Sequence, residues 1–152
     1  MADLRETQHI DAPADVVYAM VADLPRMGEW SPECERVSWR GKATAAAPGA
    51  GFIGFNRAGT LRWITLGTVV AADRSRHLSF RVHVGPISIA LWEYFVVPDD
   101  EGTGCTLVEQ WTDLRATPAR LAFDRILPDR AGRNRRGMRA TLAAIKRVAE
   151  HH

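Results

Sequence analysis

Residues 129–150 read DRAGRNRRGMRATLAAIKRVAE, and this stretch decides the fold. Its apolar positions recur at helical spacing and share one face of a helix: Met138, Leu142, Ile145 and Ala149. Charged residues fall on the opposite side. Pro128 ends any helix that arrives from upstream, and Asp129 is placed to cap the new one. The pattern predicts a long amphipathic helix whose apolar face must pack on the rest of the chain.

The sequence before this helix reads as short strands joined by turns. Alternating or β-branched runs between turn residues predict strands over residues 4–10, 33–40, 51–57, 61–72, 77–84, 87–97 and 104–114. A short helix capped by Asp11 follows the first strand, and Pro25 either ends it or begins a second short helix that finishes near Trp30. Another short helix, capped by Thr117, runs to about Leu127. A meander of strands with helices at both ends predicts an α+β fold with an antiparallel sheet.

The bulk composition excludes several classes of protein. The 152 residues are 46% hydrophobic and 25% charged, which is typical of a globular protein and predicts one domain over residues 1–150. His151 and His152 form a tail of the kind that a truncated purification tag leaves. A net charge of +2 gives no case for nucleic-acid binding. With no apolar run near the ~18 residues of a membrane span, no signal peptide and two distant cysteines, we expect a cytoplasmic protein.

Strand alternation predicts which side chains face the final helix. On the last strand, Leu107, Glu109 and Trp111 share a face, and its apolar members predict that this face is the inner one. A phase shifted by one residue would place Glu109 in solvent, and this alternative stays open. On the strand over residues 87–97 the inner face is predicted to hold the bulkiest set: Trp92, Tyr94 and Val96. Phe95, on the other side, leaves that phase undecided.

If these faces align, aromatic and polar side chains meet on one concave surface opposite the helix. The sheet contributes Asn56, Trp63, Thr65, Trp92, Tyr94, Glu109 and Trp111, and the helix contributes Asn134, Met138 and Thr141. Large apolar walls with a few converging polar groups are typical of a small-molecule pocket. A filled core with polar residues at its rim is the alternative. Glu109 favours the pocket, because a buried carboxyl without a partner charge has a raised pKa and is rare as filler.

The remaining motifs point away from cofactors and metals. Residues 49–54, GAGFIG, match the pattern G-x-G-x-x-G, but a loop precedes them and a strand follows, so dinucleotide binding is not predicted. Histidine and cysteine lie at spacings that hold no metal, and we expect neither a metal nor a cofactor. One basic cluster lies at the start of the last helix: Arg130, Arg133, Arg135, Arg136 and Arg139. It is either a solvated helix face or a contact surface for an anion, a membrane or a partner.

Four stretches of the chain resemble a known family. They are APADVVY at 12–18, EWSP at 29–32, GFNR at 54–57 (followed by Trp63 and Val69) and GMRATL at 137–142. In this order they resemble the START-related, birch-pollen-allergen-like superfamily (SRPBCC), and within it the bacterial polyketide cyclase/dehydrase-type members. The resemblance implies a helix-grip fold, in which six or seven antiparallel strands curl around the long C-terminal helix and leave a hydrophobic cavity. It adds Trp30 to the residues expected to line that cavity.

The resemblance and the predicted pocket support three functional hypotheses. The first is a carrier or sensor that binds a small lipid-, polyketide- or aromatic-type molecule. The second is a polyketide cyclase or dehydratase in which Glu109 transfers a proton while Asn56 or Tyr94 donates to the substrate oxygen, although no complete catalytic set can be assigned. The third is an interaction module that uses the arginines of the last helix. The oligomeric state stays open, and a homodimer is compatible with the sequence.

Overall fold

A computed structural model describes residues 2–151. Met1 and His152, the second residue of the expected tail, lie outside the described residues. The strands are β1 (Leu4–Ile10), β2 (Cys34–Trp39), β3 (Gly51–Ala58), β4 (Leu61–Asp73), β5 (His77–Val84), β6 (Ile87–Pro98) and β7 (Cys105–Asp113). The helices are α1 (Ala14–Ala22), a 3₁₀ helix (Leu24–Glu29), α2 (Thr117–Ile126) and α3 (Arg130–Glu150). None of the helices within residues 2–151 is long and apolar enough to cross a membrane.

The strands form one curved antiparallel sheet in the order β1-β7-β6-β5-β4-β3-β2. Strands β2 to β7 each pair with their neighbour in sequence, as short turns require. Strand β1 instead pairs with β7, with Leu4 opposite Trp111 and Ile10 opposite Cys105, which brings the start of the chain beside its last strand. The α+β helix-grip fold predicted from the sequence is confirmed, and its sheet has seven strands.

Helix α3 packs on the sheet mainly at β1 and also touches α1. The four apolar positions predicted for its inner face are all buried: Met138, Leu142, Ile145 and Ala149. Burial of each large apolar side chain stabilises the fold by about 1.5–3 kcal/mol. Asn134 and Thr141 are buried on the same helix, at 5% and 4% exposure. The inner face of α3 is therefore partly polar in its first half and apolar in its second.

The helix starts differ from the predicted caps. Asp129 occupies the N-cap position of α3, but its backbone is left-handed, with φ 58° and ψ 49°, and its side chain makes no capping bond. An N-cap residue normally has an extended backbone, and here the carboxylate lies 3.7 Å from Arg136 instead. Thr117 is the first residue inside α2 rather than its cap. Helix α1 begins after Pro13, which leaves Asp11 outside the helix.

The strand phases follow the predicted alternation. Glu109 is only 3% exposed and lies between the buried Leu107 and Trp111, so the alternative phase for β7 is wrong. On β6, Tyr94 is buried on the inner face, whereas Phe95 is half-buried on the opposite one. On both strands, the side chains that alternation predicted for the inner face therefore point toward α3.

Candidate ligand-binding cavity

A cavity of about 790 Å³ separates the concave face of the sheet from the first half of α3. Nine of the eleven residues predicted for the cavity line it: Asn56, Trp63, Thr65, Trp92, Tyr94, Glu109, Asn134, Met138 and Thr141. Leu142 and Ile145, in the second half of α3, pack in the core instead. The sheet thus packs against the second half of the helix and stands away from the first half. The alternative of a completely filled core is therefore wrong.

Trp30 and Trp111 lie away from this cavity, contrary to expectation. Trp30 follows the 3₁₀ helix rather than lying on a strand, and its ring packs in the core, with the guanidinium of Arg26 5.0 Å above it. Trp111 packs against Trp92, with ring centroids 6.4 Å apart. Because it lies near the end of β7 that approaches α2, Trp111 lines a second, smaller cavity of about 280 Å³.

The second cavity lies beneath α2 and adjoins the first. Five side chains line both cavities: Trp63, Ile89, Ala90, Arg130 and Arg133. Three apolar side chains of α2 and its end cover the smaller one: Phe123, Ile126 and Leu127. None of the residues of α2 is buried. Arg115 holds the helix in place, since it donates to Asp124 of α2 at 3.2 Å and to both carboxylate oxygens of Asp113 at 2.9 and 2.8 Å. Charge, rather than a buried apolar face, attaches α2 to the sheet.

The deepest polar group of the main cavity is the pair Tyr94–Glu109. The two residues lie directly opposite each other on β6 and β7, and the Tyr94 hydroxyl donates to Oε2 of Glu109 at 2.8 Å. The pKa of Glu109 is raised to about 8: burial raises it most, the bond from Tyr94 lowers it, and the nearby carboxylate of Glu6 raises it. Burial and the Glu109 carboxylate also raise the pKa of Tyr94 well above 10, so its hydroxyl keeps its proton. At neutral pH the Glu109 carboxyl is therefore mostly uncharged.

Two buried polar atoms have no hydrogen-bond partner among the described residues, Oε1 of Glu109 and Nδ2 of Asn134. An unmade hydrogen bond of this kind costs about 1–3 kcal/mol. One atom belongs to β7 and the other to the start of α3, and both side chains line the same cavity. Buried polar groups in folded proteins are nearly always satisfied, so each exception calls for an explanation. They face one cavity from its two sides, the sheet and α3, and a ligand held there is one explanation for both.

A second polar pair lies on the part of the wall formed by β3 and β4. Nδ2 of Asn56 donates to Oγ1 of Thr65 at 3.2 Å. Gly54 keeps this region open, because a Cβ at that position would lie 2.9 Å from Oγ1 of Thr65. Both residues were predicted for the concave surface from alternation. Unlike the amide of Asn134, the Asn56 amide already has a partner within the protein.

The basic cluster at the start of α3 is paired with carboxylates. Arg130 and Arg133 donate to Glu33 at 2.9 and 3.3 Å. Arg135 and Arg139 donate to Glu6 at 2.9 and 2.7 Å, and Arg136 is the one that faces Asp129. Each glutamate joins α3 to an element near the start of the chain. The cluster therefore fixes the position of the helix over the sheet, rather than forming only a solvated face.

Sequence reasoning missed several residues of the cavity wall. The larger apolar ones are Val37, Phe80, Val82 and Ile89. Alternation already places Phe80 and Val82 on one face of β5, and this signal could have found them. Glu33 also lies on the wall, between the two arginines that it binds. No local signal marks it, because its partners lie about 100 positions further along the chain.

Comparison with known proteins agrees with this geometry. A family model described as polyketide cyclase / dehydrase and lipid transport matches residues 1–150. The chain belongs to this family. The resemblance drawn from the four sequence stretches is thereby confirmed. No curated protein matches the chain significantly.

Solved structures share the fold of this polyketide cyclase-family chain. The polyketide cyclase-like protein of Corynebacterium glutamicum is 29% identical, with 98% of this chain and 96% of that chain covered and a TM-score of 0.56. A START superfamily protein of Mycobacterium smegmatis is 12% identical, with 97% and 96% covered and a TM-score of 0.71. The di-domain ARO/CYC protein BexL is 20% identical, with a TM-score of 0.72. The match covers 98% of this chain and 50% of BexL. The last two likenesses show the fold alone.

Proposed function

We propose that this protein binds one small hydrophobic molecule in the cavity between the sheet and the first half of α3, as a carrier or sensor. The observation that carries the proposal is the cavity itself. Its volume of about 790 Å³ lies within the range of about 300–1,000 Å³ that small-molecule sites occupy. Trp63 and Trp92 supply aromatic wall area, and Glu109 and Asn134 each supply one buried polar atom that has no partner within residues 2–151. The family description, which includes lipid transport, supports the same reading.

Tryptophan emission tests this proposal, because two of the five tryptophans line the main cavity. We expect quenching or a blue shift on titration with a panel of fatty acids, sterols and polycyclic aromatic compounds. Trp92→Phe should reduce the response, whereas Trp30→Phe, at a core position outside the cavity, should preserve it. Ala90→Phe places a ring where the two cavities meet and should weaken binding. An unchanged spectrum with every compound would contradict the proposal.

A cyclase or dehydratase is the second candidate, and the state of Glu109 favours it. A general acid or base works best when its pKa lies near the operating pH, and burial raises the pKa of Glu109 to about 8. Since the carboxyl is mostly protonated at pH 7, it is better suited to protonate a carbonyl or a departing hydroxyl than to remove a proton. Glu109→Gln should abolish turnover of a β-hydroxy ketone substrate while ligand binding persists. Undiminished turnover by that variant would exclude the role.

The interaction module has less support. Arg130 and Arg133 share Glu33, and Arg135 and Arg139 share Glu6, so carboxylates already occupy the guanidinium groups that such a surface needs. An exposed anion-binding face would gain little from arginines that are engaged within the fold. We therefore place the function in the cavity.

A further inference from the structure

The convex face of the sheet, on the side away from the cavity, carries an apolar patch at β3 and β4. Trp63 of β4 lines the cavity, so alternation turns Ile64 and Leu66 outward. Their cross-strand partners on β3 are Phe55 and Ile53. Directly opposed side chains of a sheet touch, so these four form one continuous surface, the convex patch. Ile64 is 57% exposed and the other three are half-buried.

Arginines flank the convex patch at both ends. In the outward pair next to Phe55 and its partner, Arg57 of β3 faces Arg62 of β4. Arg36 of β2 also lies beside Phe55, with its guanidinium 3.9 Å from the centre of the ring. Arg81 of β5 flanks the opposite end, across from β4. The patch is therefore an apolar centre with a basic rim.

The basic rim is poorly neutralised within the chain. Arg57 and Arg62 are directly opposed, and like charges at such positions repel. Arg62 reaches one carboxylate, that of Glu35 at 3.6 Å, and both side chains are exposed, so this pair contributes little. Arg36, Arg57 and Arg81 form no ion pair with a carboxylate of residues 2–151. The arginines of α3 differ, because each of the five in its basic cluster faces a glutamate or an aspartate.

This arrangement matches one side of a protein–protein interface. Such interfaces have an apolar centre and a polar rim, and arginine is enriched in them. A guanidinium binds a carboxylate through two parallel hydrogen bonds, which gives it both affinity and orientation. Because arginine side chains are longer than the half-buried apolar ones between them, a complementary partner presents a protruding apolar side chain surrounded by carboxylates.

Other occupants match the convex patch less closely. Membrane binding buries apolar side chains beneath the headgroups, but a flat bilayer would meet the arginines first. A nucleic-acid backbone offers phosphates to the rim and no apolar group to the centre, and Arg36 already covers the ring of Phe55. A second copy in two-fold contact would set the patch on itself and bring two arginine rims together, which is repulsive.

We propose that the convex patch docks an acidic protein partner. An apolar side chain of the partner packs on Ile53, Phe55, Ile64 and Leu66, and its carboxylates bind the surrounding arginines. Since this surface lies on the opposite side of the sheet from the cavity wall, the inference goes beyond the proposed ligand binding and does not depend on it.

A labelled peptide tests the proposal. The probe is a helical peptide with one leucine face flanked by glutamates, and fluorescence anisotropy at low salt measures its binding. Two control peptides replace every glutamate by lysine or every leucine by serine. We expect the acidic leucine peptide to bind about tenfold more tightly than either control, because the patch needs both carboxylates and apolar contacts. Its amide resonance shifts should be largest over residues 53–57 and 62–66.

A double arginine variant tests the basic rim. Arg62→Ala with Arg81→Ala should weaken binding of the acidic peptide about tenfold, as expected for two lost charge-assisted contacts. Arg5→Ala with Arg147→Ala removes the same charge from exposed positions elsewhere and should change the affinity less than about twofold. Neither pair of positions lines a cavity, so the tryptophan response to hydrophobic ligands should stay as in the wild type.

A threonine variant tests the apolar centre. Ile53→Thr keeps a β-branched residue in the strand and removes apolar contact area, so the peptide should bind about threefold more weakly. Val97→Thr is the matched change at an exposed position of β6 outside the convex patch, and it should leave the affinity unchanged.

Several outcomes would overturn the proposal. They are no binding of the acidic peptide, equal affinity for its lysine version, and equal losses in the two double arginine variants. Tighter binding of phosphatidylglycerol vesicles or of a DNA oligonucleotide, lost in Arg62→Ala with Arg81→Ala, would replace the acidic protein by another class of partner. A dimer in sedimentation that Ile53→Thr dissociates would assign the patch to a second copy of the chain.

Discussion

Glu6 of β1 and Glu109 of β7 are cross-strand partners in the sheet, but only the carboxyl of Glu6 is paired with arginines. Glu6 accepts from Arg139 at 2.7 Å and from Arg135 at 2.9 Å. Glu109 accepts a hydrogen bond from the Tyr94 hydroxyl alone among the described residues. Like charges at opposed positions repel, so the ion-paired carboxylate of Glu6 adds to the effect of burial in keeping Glu109 neutral. This asymmetry places an uncharged acid on the wall of the cavity.

The stability of the protein should fall as the pH rises toward 8. The pKa of Glu109 is about 8 in the folded state, against an ordinary value of 4.5. Below pH 4.5 Glu109 is protonated in both the folded and the unfolded protein, and its full contribution to stability is present. Between pH 4.5 and pH 8 it is protonated only in the folded protein, so this contribution falls. The loss is about 1.4 kcal/mol per pH unit across this window, and it ends above pH 8. Urea unfolding at several pH values measures it.

Glu109→Gln is the control for this linkage, because glutamine does not titrate. The difference in unfolding free energy between the variant and the wild type should therefore change with pH, while contributions from other groups cancel. A difference that stays constant from about pH 5 to about pH 9 would show that Glu109 has an ordinary pKa.

The two neighbours of Glu109 should shift its pKa in opposite directions. Glu6→Gln removes the opposing carboxylate and should lower the pKa of Glu109, whereas Tyr94→Phe removes the donor to Oε2 and should raise it. Tyr94→Phe should also cost about 2 kcal/mol of stability, since it leaves a buried oxygen unpaired. The infrared band of the protonated carboxyl follows the titration.

Tyr18→Phe is the matched control, since the Tyr18 hydroxyl donates to the backbone carbonyl of His77, at 3.4 Å, and not to Glu109. It should leave the titration of Glu109 unchanged. A Glu109 pKa that Tyr94→Phe and Tyr18→Phe shift by the same amount would contradict the assigned hydrogen bond.

Two Gly→Ala substitutions should have opposite effects on stability. A Cβ on Gly67 would overlap the ring of Phe52, which is fixed edge-on against Trp39 and Phe80, so Gly67→Ala should destabilise by about 1–3 kcal/mol. A Cβ on Gly137 would lie at an ordinary 3.7 Å from Pro32, and alanine suits a helix better than glycine. Gly137→Ala should stabilise by about 1 kcal/mol. Thermal and urea unfolding compare the two, and equal effects would refute the packing described for Phe52.

Helix α2 should loosen without unfolding the protein when its ionic attachment is removed. Asp124→Asn removes the negative charge that pairs with Arg115, and because none of the residues of α2 is buried, amide hydrogen exchange should rise across residues 117–126. The global unfolding free energy should change by less than about 1 kcal/mol, as for a partly exposed ion pair.

Asp113→Asn provides the contrast, because it weakens the two bonds that hold the buried Arg115. It should lower the global unfolding free energy by about 2 kcal/mol. Unchanged exchange over α2 in Asp124→Asn would show that the helix is held by other contacts.

The sequence by itself determined the elements and their faces. Periodicity is a local property of the sequence. The apolar face of α3 predicted that Met138 points inward, the alternation of β7 predicted the same for Glu109, and both side chains are buried. The polar residues Asn134 and Thr141 on the same side of the helix also indicated a cavity between the helix and the sheet. The caps were less predictable, because they depend on single dihedral angles such as the left-handed backbone of Asp129.

Only the tertiary structure decided which of these residues meet. The pairing of β1 with β7 sets Glu6 opposite Glu109, and the position of α3 brings Arg130 to Glu33, although these partners are about 100 residues apart or more. The same packing buries Trp30 in the core and leaves Nδ2 of Asn134 without a hydrogen-bond partner among residues 2–151. The raised pKa of Glu109 and the unpaired Nδ2 of Asn134 arise from burial and from the distances between segments far apart in the sequence. Those distances are fixed by the register and curvature of the sheet and by the position of the helix.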